Sequence, residues 1–188
     1  PTNYNSIINA ISSGASRHNK IAQNARLQTG PLTTYLNNLI DLGIVEKTMP
    51  VTDKKKNKSK NIVYRICDGM FRFWYTFVGS QSAIIERGLT DLAWKKVEQN
   101  LSDFMGPEFE KYSQNFMWSK DLDEKWVPNP FVQLGNWWGT DKRTHQQVEL
   151  DVVGFSDDER DGYFGECKWK NEPIPRSVLE KLIRNSEI

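Results

Sequence analysis

Residues 147–170 read QVELDVVGFSDDERDGYFGECKWK, and this stretch decides the fold of the carboxy-terminal half of the chain. Its apolar and β-branched residues predict one strand over 147–155 and a second over 162–170. The acidic stretch between the strands, residues 156–161, leads into Asp161-Gly162, a dipeptide typical of tight hairpin turns. We therefore predict an antiparallel hairpin.

Charged side chains gather on this hairpin if its two strands pair. Alternate side chains of a strand share a face, so Glu149 lies beside Asp151, and Glu166 lies beside Lys168. Pairing through the turn then brings Asp151 and Glu166 together, with Lys168 next to them. Carboxylates suit a Mg²⁺ ion that neutralises charge on a phosphate, and a lysine can orient or help deprotonate the attacking water. The pattern indicates phosphodiester hydrolysis.

The same residues resemble the signature of the PD-(D/E)XK nuclease superfamily. Asp151 lies in a strand, and fifteen positions later Glu166 and Lys168 form an E-x-K sequence. Such folds often carry a glutamate on the preceding helix, and Glu110 occupies that position on a helix predicted over 108–118. The resemblance implies that Asp151, Glu166, Lys168 and Glu110 are catalytic. It also implies that Asp151, Glu166 and Glu110 bind Mg²⁺ or Mn²⁺.

Other interpretations of these residues stay open. Exposed strand faces often alternate Glu and Lys as solvated cross-strand pairs. Glu149 is equally well read as a further metal ligand, a salt-bridge partner or an exposed residue. A nuclease fold can also persist as a binding scaffold without activity, because fold does not imply function.

The amino-terminal part predicts three helices followed by two strands. The helices are expected over 4–12, over 19–25 with Ser16 as cap, and from Pro31 to Leu42. The strands are expected over 44–51 and 61–67, and a polar tip between them carries five lysines: Lys54, Lys55, Lys56, Lys58 and Lys60. This order resembles a winged helix-turn-helix over residues 4–67, which implies a basic wing placed to reach DNA.

Charge is divided unevenly along the chain. Residues 1–65 hold ten Lys or Arg against three acids, a balance of +7, although the net charge of the chain is only +1. A basic half beside an acidic remainder indicates that the amino-terminal part meets nucleic acid, with the five lysines as the DNA contacts. A solubilising loop, or docking of the winged helix on a neighbouring ATPase domain, is the opposing interpretation.

The middle of the chain is rich in aromatic residues and in residues that interrupt helices. Residues 71–77 predict a connecting helix that is buried between two modules. Gly106 and Pro107 predict a helix break, and residues 127–138 predict an extended or looping path. We expect an α/β (α+β) protein with a winged helix-turn-helix at 1–68. The connecting helix and a PD-(D/E)XK restriction-endonuclease-like domain follow at 69–188.

A wider resemblance covers nearly the whole sequence. The passages FRFWYTFV, GPEFEKYSQNF, LGNWWG, QVELDVVGF and GECKWKNEPIPRSVLEKLI follow a winged helix in this order. They resemble the carboxy-terminal region of archaeal-type P-loop ATPases of the AAA+/STAND kind, in which a nuclease-like domain of unknown function follows an ATPase domain and a winged helix. The resemblance implies a P-loop ATPase partner, in the same chain or another. It also makes the sequence look like a fragment or a truncated paralogue.

Several functional classes are disfavoured by what the sequence lacks. It has no G-x-x-x-x-G-K-[ST] motif, so ATPase activity requires a domain upstream of these residues. Its two cysteines, Cys67 and Cys167, lie one hundred positions apart and form no zinc ribbon. No apolar run reaches the length of a membrane span, and we expect a cytoplasmic protein.

The sequence therefore leaves three functions open. The first is a DNA-binding, metal-dependent nuclease-like module of a P-loop ATPase family protein, with cleavage by Mg²⁺-dependent hydrolysis. The second is a catalytically inactive interaction or regulatory module of an AAA+/STAND ATPase. The third is a winged-helix transcription regulator.

Replacing the five lysines of the predicted wing by alanine should weaken binding to duplex DNA and flatten its dependence on salt. Each lysine that neutralises a phosphate releases a counterion, so its loss lowers the slope of log K against log salt by about one unit. Titration of both proteins with one duplex at several salt concentrations measures the slope. An unchanged slope would mean that the wing does not touch phosphate.

Overall fold

The computed structural model describes residues 2–53, 61–119, 125, 127 and 129–187. Helices and small antiparallel sheets alternate along the chain, which confirms the expected α+β class. The chain forms two compact units: Pro1–Thr48 with Ile62–Leu101, and Met49–Asn61 with Ser102–Ile188. Residues 69–101 thus group with the three amino-terminal helices. The expected domain division at residue 68 stays a prediction.

The first unit opens with three helices and a two-stranded sheet, in the order expected of a winged helix. Its elements are α1 (Thr2–Ser12), α2 (His18–Ala25), α3 (Thr29–Asp41), β1 (Val45–Thr48) and β2 (Val63–Ile66). The two strands pair antiparallel, with Val45 opposite Ile66. The five lysines of the predicted wing lie outside the described residues, so their contact with DNA stays a prediction.

Apolar residues at helical spacing hold the three helices together. Ile7, Ile21, Leu32 and Leu36 are all at most 1% exposed and belong to one core. Because each helix buries only one stripe, its other positions stay polar. The expected cap Ser16 is wrong: Arg17 precedes α2, with no side-chain cap bond. The carbonyl of Ser16 instead accepts the N–H of Tyr64 at 2.7 Å, which ties the start of α2 to β2.

The aromatic segment forms a short helix α4 (Gly69–Phe73) and then one π-helical turn (Trp74–Val78). The expectation that this segment is buried is wrong for most of it. Trp74 is 56% exposed, whereas Phe77 is 4% exposed. A π-helical turn widens the helix and changes which side chains face inward, so spacing alone gives the wrong buried set.

Two further helices complete the chain up to residue 118. They are the short α5 (Ser82–Glu86) and the long α6 (Thr90–Trp118). The predicted break at Gly106 and Pro107 is wrong, because α6 continues through both residues. A proline removes one hydrogen bond and crowds the preceding turn, and this helix tolerates that cost.

The second unit contains a three-stranded antiparallel sheet in the order β3-β4-β5. Its strands are β3 (Phe131–Thr140), β4 (Gln147–Ser156) and β5 (Gly162–Gly165), and helix α7 (Arg176–Ser186) follows. The predicted hairpin over 147–170 is confirmed as a pairing, because β4 and β5 lie antiparallel with Val152 opposite Gly165. The predicted second strand over 162–170 is too long, since β5 ends at Gly165.

Strand β3 covers most of the stretch 127–138, and its extended form confirms the expectation of an extended or looping path there. Two irregularities interrupt its pairing with β4, one between Phe131 and Gln133 and one between Gly135 and Trp137. A bulge inserts a residue and shifts the alternation of faces, so the strand lacks the period-two pattern that sequence reasoning looks for. Buried Phe131 and Leu134 nevertheless anchor it in the core.

In the ranges that the structure describes, no helix combines the length and the apolar character needed to cross a membrane.

Truncating Phe77 to alanine should lower the free energy of unfolding by about 3 to 5 kcal/mol, because it empties a buried site. Trp74→Ala, three residues away, should change it by only about 0.5 kcal/mol, as exposed substitutions do. Urea unfolding followed by circular dichroism measures both. Equal losses in the two variants would contradict the exposure of Trp74.

Candidate functional site

Asp151 is a buried carboxylate on the central strand of the sheet in the second unit. It lies on β4 and is only 8% exposed, and its neighbours Leu150 and Val152 are buried as well. Asp, Glu, Lys and Arg are almost never buried without partners. The partners of Asp151 therefore determine what this position does.

The carboxylate of Asp151 binds the chain directly after β5. The backbone N–H of Cys167 donates to Oδ2 of Asp151 at 2.7 Å. The last backbone pair of the two strands is Val152 with Gly165, so this side-chain bond lies just beyond the end of the pairing. It keeps the segment 166–168 beside β4 after the regular strand has ended.

The main chain of Asp151 is fixed by two further elements. Its carbonyl oxygen accepts a hydrogen bond from Nε2 of Gln114 on α6 at 2.7 Å. It also accepts one from Nδ2 of Asn136 on β3 at 3.1 Å. Asn136 is buried, so this hydrogen bond lies in the interior of the unit. Sequence reasoning named neither residue, although Gln114 lies one helical turn after Glu110 and so on the same face of α6.

Glu166 and Lys168 form an ion pair beside Asp151. Nζ of Lys168 donates to Oε1 of Glu166 and to the backbone carbonyl of Cys167, the latter at 3.2 Å. The Glu166 side chain is 15% exposed and that of Lys168 is 38% exposed. The predicted convergence of Asp151, Glu166 and Lys168 thus occurs in a segment that follows β5 and not within a strand.

The surroundings of Asp151 disfavour its charged form. Burial raises the pKa of Asp151, and the negative charges of Glu166 and Glu149 raise it further. The N–H of Cys167 and the ammonium of Lys168 act in the opposite direction but do not cancel the rise. A buried carboxylate with a raised pKa is typical of functional sites, although structural networks show it too.

Lys168 is held in its charged form. Burial alone would lower its pKa, but the hydrogen bond to Glu166 and the charges of Glu166, Asp151 and Glu110 together raise it. Glu110 on α6 therefore lies within electrostatic reach of the group, as the sequence predicted. The structure brings the four predicted residues into one electrostatic neighbourhood.

Cys167 lies between these acids but is not activated as a nucleophile. Burial raises the pKa of its thiol, and the charges of Asp151, Glu110 and Glu166 raise it further. A thiol is reactive as the thiolate, so these surroundings suppress its reactivity. Cys167 instead packs against the apolar cluster that contains Val127, Phe131 and Val152.

A complete cage of protein ligands for a metal ion does not form within the described part of the chain. No three His, Cys, Asp or Glu side chains there stand in an arrangement able to hold a metal by themselves. The predicted binding of Mg²⁺ or Mn²⁺ by Asp151, Glu166 and Glu110 stays a prediction. Glu149 is exposed, and it acts on the site through its charge on Asp151.

A family profile matches residues 74–182 of the chain, which include all four predicted site residues. The chain belongs to the DUF234 family. Its members are described as archaeal and bacterial proteins of unknown function. The DUF234 match begins at Trp74 and so leaves out the three helices and the β1–β2 hairpin of the first unit.

An uncharacterized protein of Methanocaldococcus jannaschii is 28% identical to this DUF234 chain over 190 residues. The alignment covers 100% of the chain and 41% of that relative. The chain therefore spans about two fifths of the relative's length. No solved structure matches the chain.

Asp151→Asn should raise the melting temperature of the protein at neutral pH, whereas Asp151→Ala should lower it. The raised pKa of Asp151 means that its contribution to stability is fully present at low pH and is lost as pH rises through the folded-state pKa. An amide removes that loss and still accepts the N–H of Cys167. Alanine leaves the N–H without an acceptor, at a cost of about 1 to 3 kcal/mol.

Thermal melts from acid to neutral pH separate the two effects. The advantage of Asp151→Asn should shrink as the pH falls below the folded-state pKa. Asp157→Asn is the control for the loss of a carboxylate outside the site, because Asp157 is exposed in the β4–β5 turn. Equal losses in Asp151→Asn and Asp151→Ala would show that the negative charge itself holds the segment after β5.

Proposed function

We propose that this DUF234 chain is a nucleic-acid-binding module with a divalent-metal site for phosphodiester hydrolysis. One observation carries the proposal: the carboxylate of Asp151 accepts the backbone N–H of Cys167 at 2.7 Å. That bond holds the E-x-K segment beside the strand acid. An acid, a glutamate and a charged lysine in one place are the groups that metal-dependent phosphodiester cleavage uses.

The chemistry of the donor set fits a hard cation. Asp151, Glu166 and Glu110 offer carboxylate oxygens only, which suits Mg²⁺ or Mn²⁺. Asp151 has a raised pKa because it is buried among other negative charges, and a cation would offset that repulsion. Magnesium usually takes one or two carboxylates and completes its shell with waters and substrate phosphate. A full protein cage is therefore not required.

The roles of the side chains follow from their surroundings. A bound cation would supply charge neutralisation at the phosphate and activation of a water. Lys168, kept charged by its acidic neighbours, is suited to donate to a phosphate oxygen or to orient the attacking water. Gln114 and Asn136 hold the main chain of Asp151. Its side chain therefore starts from the same place whether the carboxyl group is charged or neutral.

Nucleic-acid binding is proposed for the first unit. The order of α1, α2, α3, β1 and β2 is that of a winged helix, and residues 1–65 carry a balance of +7. A P-loop ATPase partner in the same or another chain is also part of the proposal. The chain spans 41% of its relative from Methanocaldococcus jannaschii, so the relative has length for further domains.

A catalytically silent scaffold is the second candidate. The observation that favours it is the ion pair between Lys168 and Glu166, which balances one carboxylate without any cation. On this alternative the acids of the site serve as a structural network without catalysis. The chain then serves an ATPase as an interaction or regulatory module, or the winged helix serves as a transcription regulator.

Adding Mg²⁺ or Mn²⁺ should raise the melting temperature of the protein, because a ligand that binds the folded state stabilises it by mass action. Asp151→Asn and Glu166→Gln should each remove that rise. Glu180→Gln is the matched control, since Glu180 is an exposed acid of α7 paired with Arg176. Differential scanning fluorimetry over a range of metal concentrations measures the shift.

The outcomes distinguish the two candidates. A metal-dependent rise with cleavage of supercoiled, linear or branched DNA that Lys168→Ala abolishes supports hydrolysis. A metal-dependent rise without cleavage in the complete protein supports the scaffold. A rise that persists in Asp151→Asn and Glu166→Gln would place the metal elsewhere and contradict the proposed site.

A further inference from the structure

A groove of about 560 Å³ lies between helix α6 and the face of the sheet that this helix covers, within the second unit. Val152 of the central strand lines it, and so do Tyr112 and Phe116 of α6. Sites for small ligands commonly have volumes of about 300 to 1,000 Å³. The groove is therefore large enough to hold a planar ring such as a nucleobase.

A missing side chain leaves the floor of the groove open. Gly165 on β5 lies directly opposite Val152 on β4, and residues opposite each other project from the same face of a sheet. A Cβ at Gly165 would lie 3.1 Å from the Cβ of Val152, so a side chain there would fill the space beside Val152. Because Gly165 has no side chain, a flat ligand can lie close to the sheet at this point.

Aromatic rings around the groove are accessible to a ligand. Tyr112 is 68% exposed and Phe116 is 42% exposed. The two residues are four positions apart, so they lie on the same face of α6. Phe164 of β5 also lines the groove and is 37% exposed. Accessible rings of this kind are the surface on which bases of single-stranded nucleic acid stack.

The charge at the groove favours the base of a nucleotide over its phosphate. Glu166 is the one charged residue among those that line the groove in the described ranges. Asp151 and Glu110 add negative charge nearby, because both raise the pKa of Lys168. These carboxylates repel a phosphate, whereas a base is neutral. A nucleotide bound here therefore places its base in the groove and its phosphate towards Lys168.

The main chain at the groove is already engaged, so recognition relies on ring faces. The backbone N–H of Cys167 donates to Asp151 at 2.7 Å. The carbonyl of Cys167 accepts a hydrogen bond from Lys168 at 3.2 Å. A ligand that stacks on rings suits such a groove better than one that depends on backbone hydrogen bonds.

We propose that the groove holds one unpaired nucleobase of a single-stranded nucleic acid whose backbone reaches the E-x-K segment. The inference rests on the proposed hydrolytic function, because Glu166 belongs both to the groove and to that site. The base lies over Gly165 and packs against the rings of Tyr112 and Phe116. A base inside a duplex is already stacked and paired, so an unpaired strand is the substrate class that this groove accepts at the least cost.

A single-stranded oligothymidylate that carries one central 2-aminopurine tests this proposal on the intact chain. This fluorescent adenine analogue is quenched when it stacks on a ring. The signal therefore reports the base and not DNA that only the first unit holds. Titration with the chain should quench the probe both in EDTA and with Mg²⁺, because stacking itself requires no cation.

Variants of the groove supply the second measurement. Tyr112→Ala and Phe116→Ala should each weaken binding of the probe by about tenfold, as removal of a stacked ring does. Gly165→Ala should weaken it too, because the methyl group fills the floor. Trp94→Ala is the matched control, since Trp94 lies on the same helix outside the groove and is 53% exposed. Its affinity should be unchanged, and thermal melts check that each variant folds.

Several results would overturn the proposal. An absence of quenching in both EDTA and Mg²⁺ would exclude a stacked base. Quenching that persists in Tyr112→Ala, Phe116→Ala and Gly165→Ala would place the base elsewhere, and an equal loss in Trp94→Ala would show that the effect is not specific to the groove.

Failure of the proposed hydrolysis has a different signature. A chain that quenches the probe through Tyr112 and Phe116 but cleaves no DNA contradicts hydrolysis and supports the base site. A chain that cleaves DNA with Mg²⁺ but does not quench the probe supports hydrolysis and overturns the base site.

Discussion

The hydrogen bond from the backbone of Cys167 to the carboxylate of Asp151 is the contact on which the arrangement of the site depends. Regular pairing between β4 and β5 stops at Val152 and Gly165, so the backbone alone does not hold the next residues. The carboxylate of Asp151 takes over this task at Cys167, two residues after Gly165. It therefore determines where Glu166 and Lys168 lie.

A buried carboxylate in this role has an electrostatic cost, which the N–H of Cys167 and the charge of Lys168 partly offset. Gln114 and Asn136 reach the carbonyl of Asp151 from a helix and from another strand, so three elements meet at a single residue. The pKa of Asp151 is nevertheless raised. A group that is structurally fixed but electrostatically unsatisfied responds to added positive charge, whether the charge comes from a proton, an ammonium or a metal ion.

Sequence reasoning succeeded where local patterns are regular and failed where they are interrupted. The three helices of the first unit and the β4–β5 pairing follow from the periodic spacing of apolar residues and from the Asp161-Gly162 turn. Strand β3 was predicted only as an extended or looping path, because its irregular pairing shifts the alternation of its faces. The continuity of α6 through Pro107 and the exposure of Trp74 depend on packing that no local pattern records. Gln114 and Asn136 were missed because they bind a backbone carbonyl. Every residue has such a carbonyl, so the identity of the partner residue does not indicate the contact.

The short length of β5 bears on how the protein avoids aggregation. The strand has four residues, and glycines stand at both of its ends. A side chain at Gly165 would bring its Cβ within 3.1 Å of the Cβ of Val152, so larger residues are poorly accommodated there. A short strand bounded by glycines offers few backbone groups to a strand of another molecule. Copies of the protein therefore have less tendency to join edge to edge into insoluble sheets. In the described part of the chain β5 pairs with β4 alone, so its short length limits the edge that another chain could join.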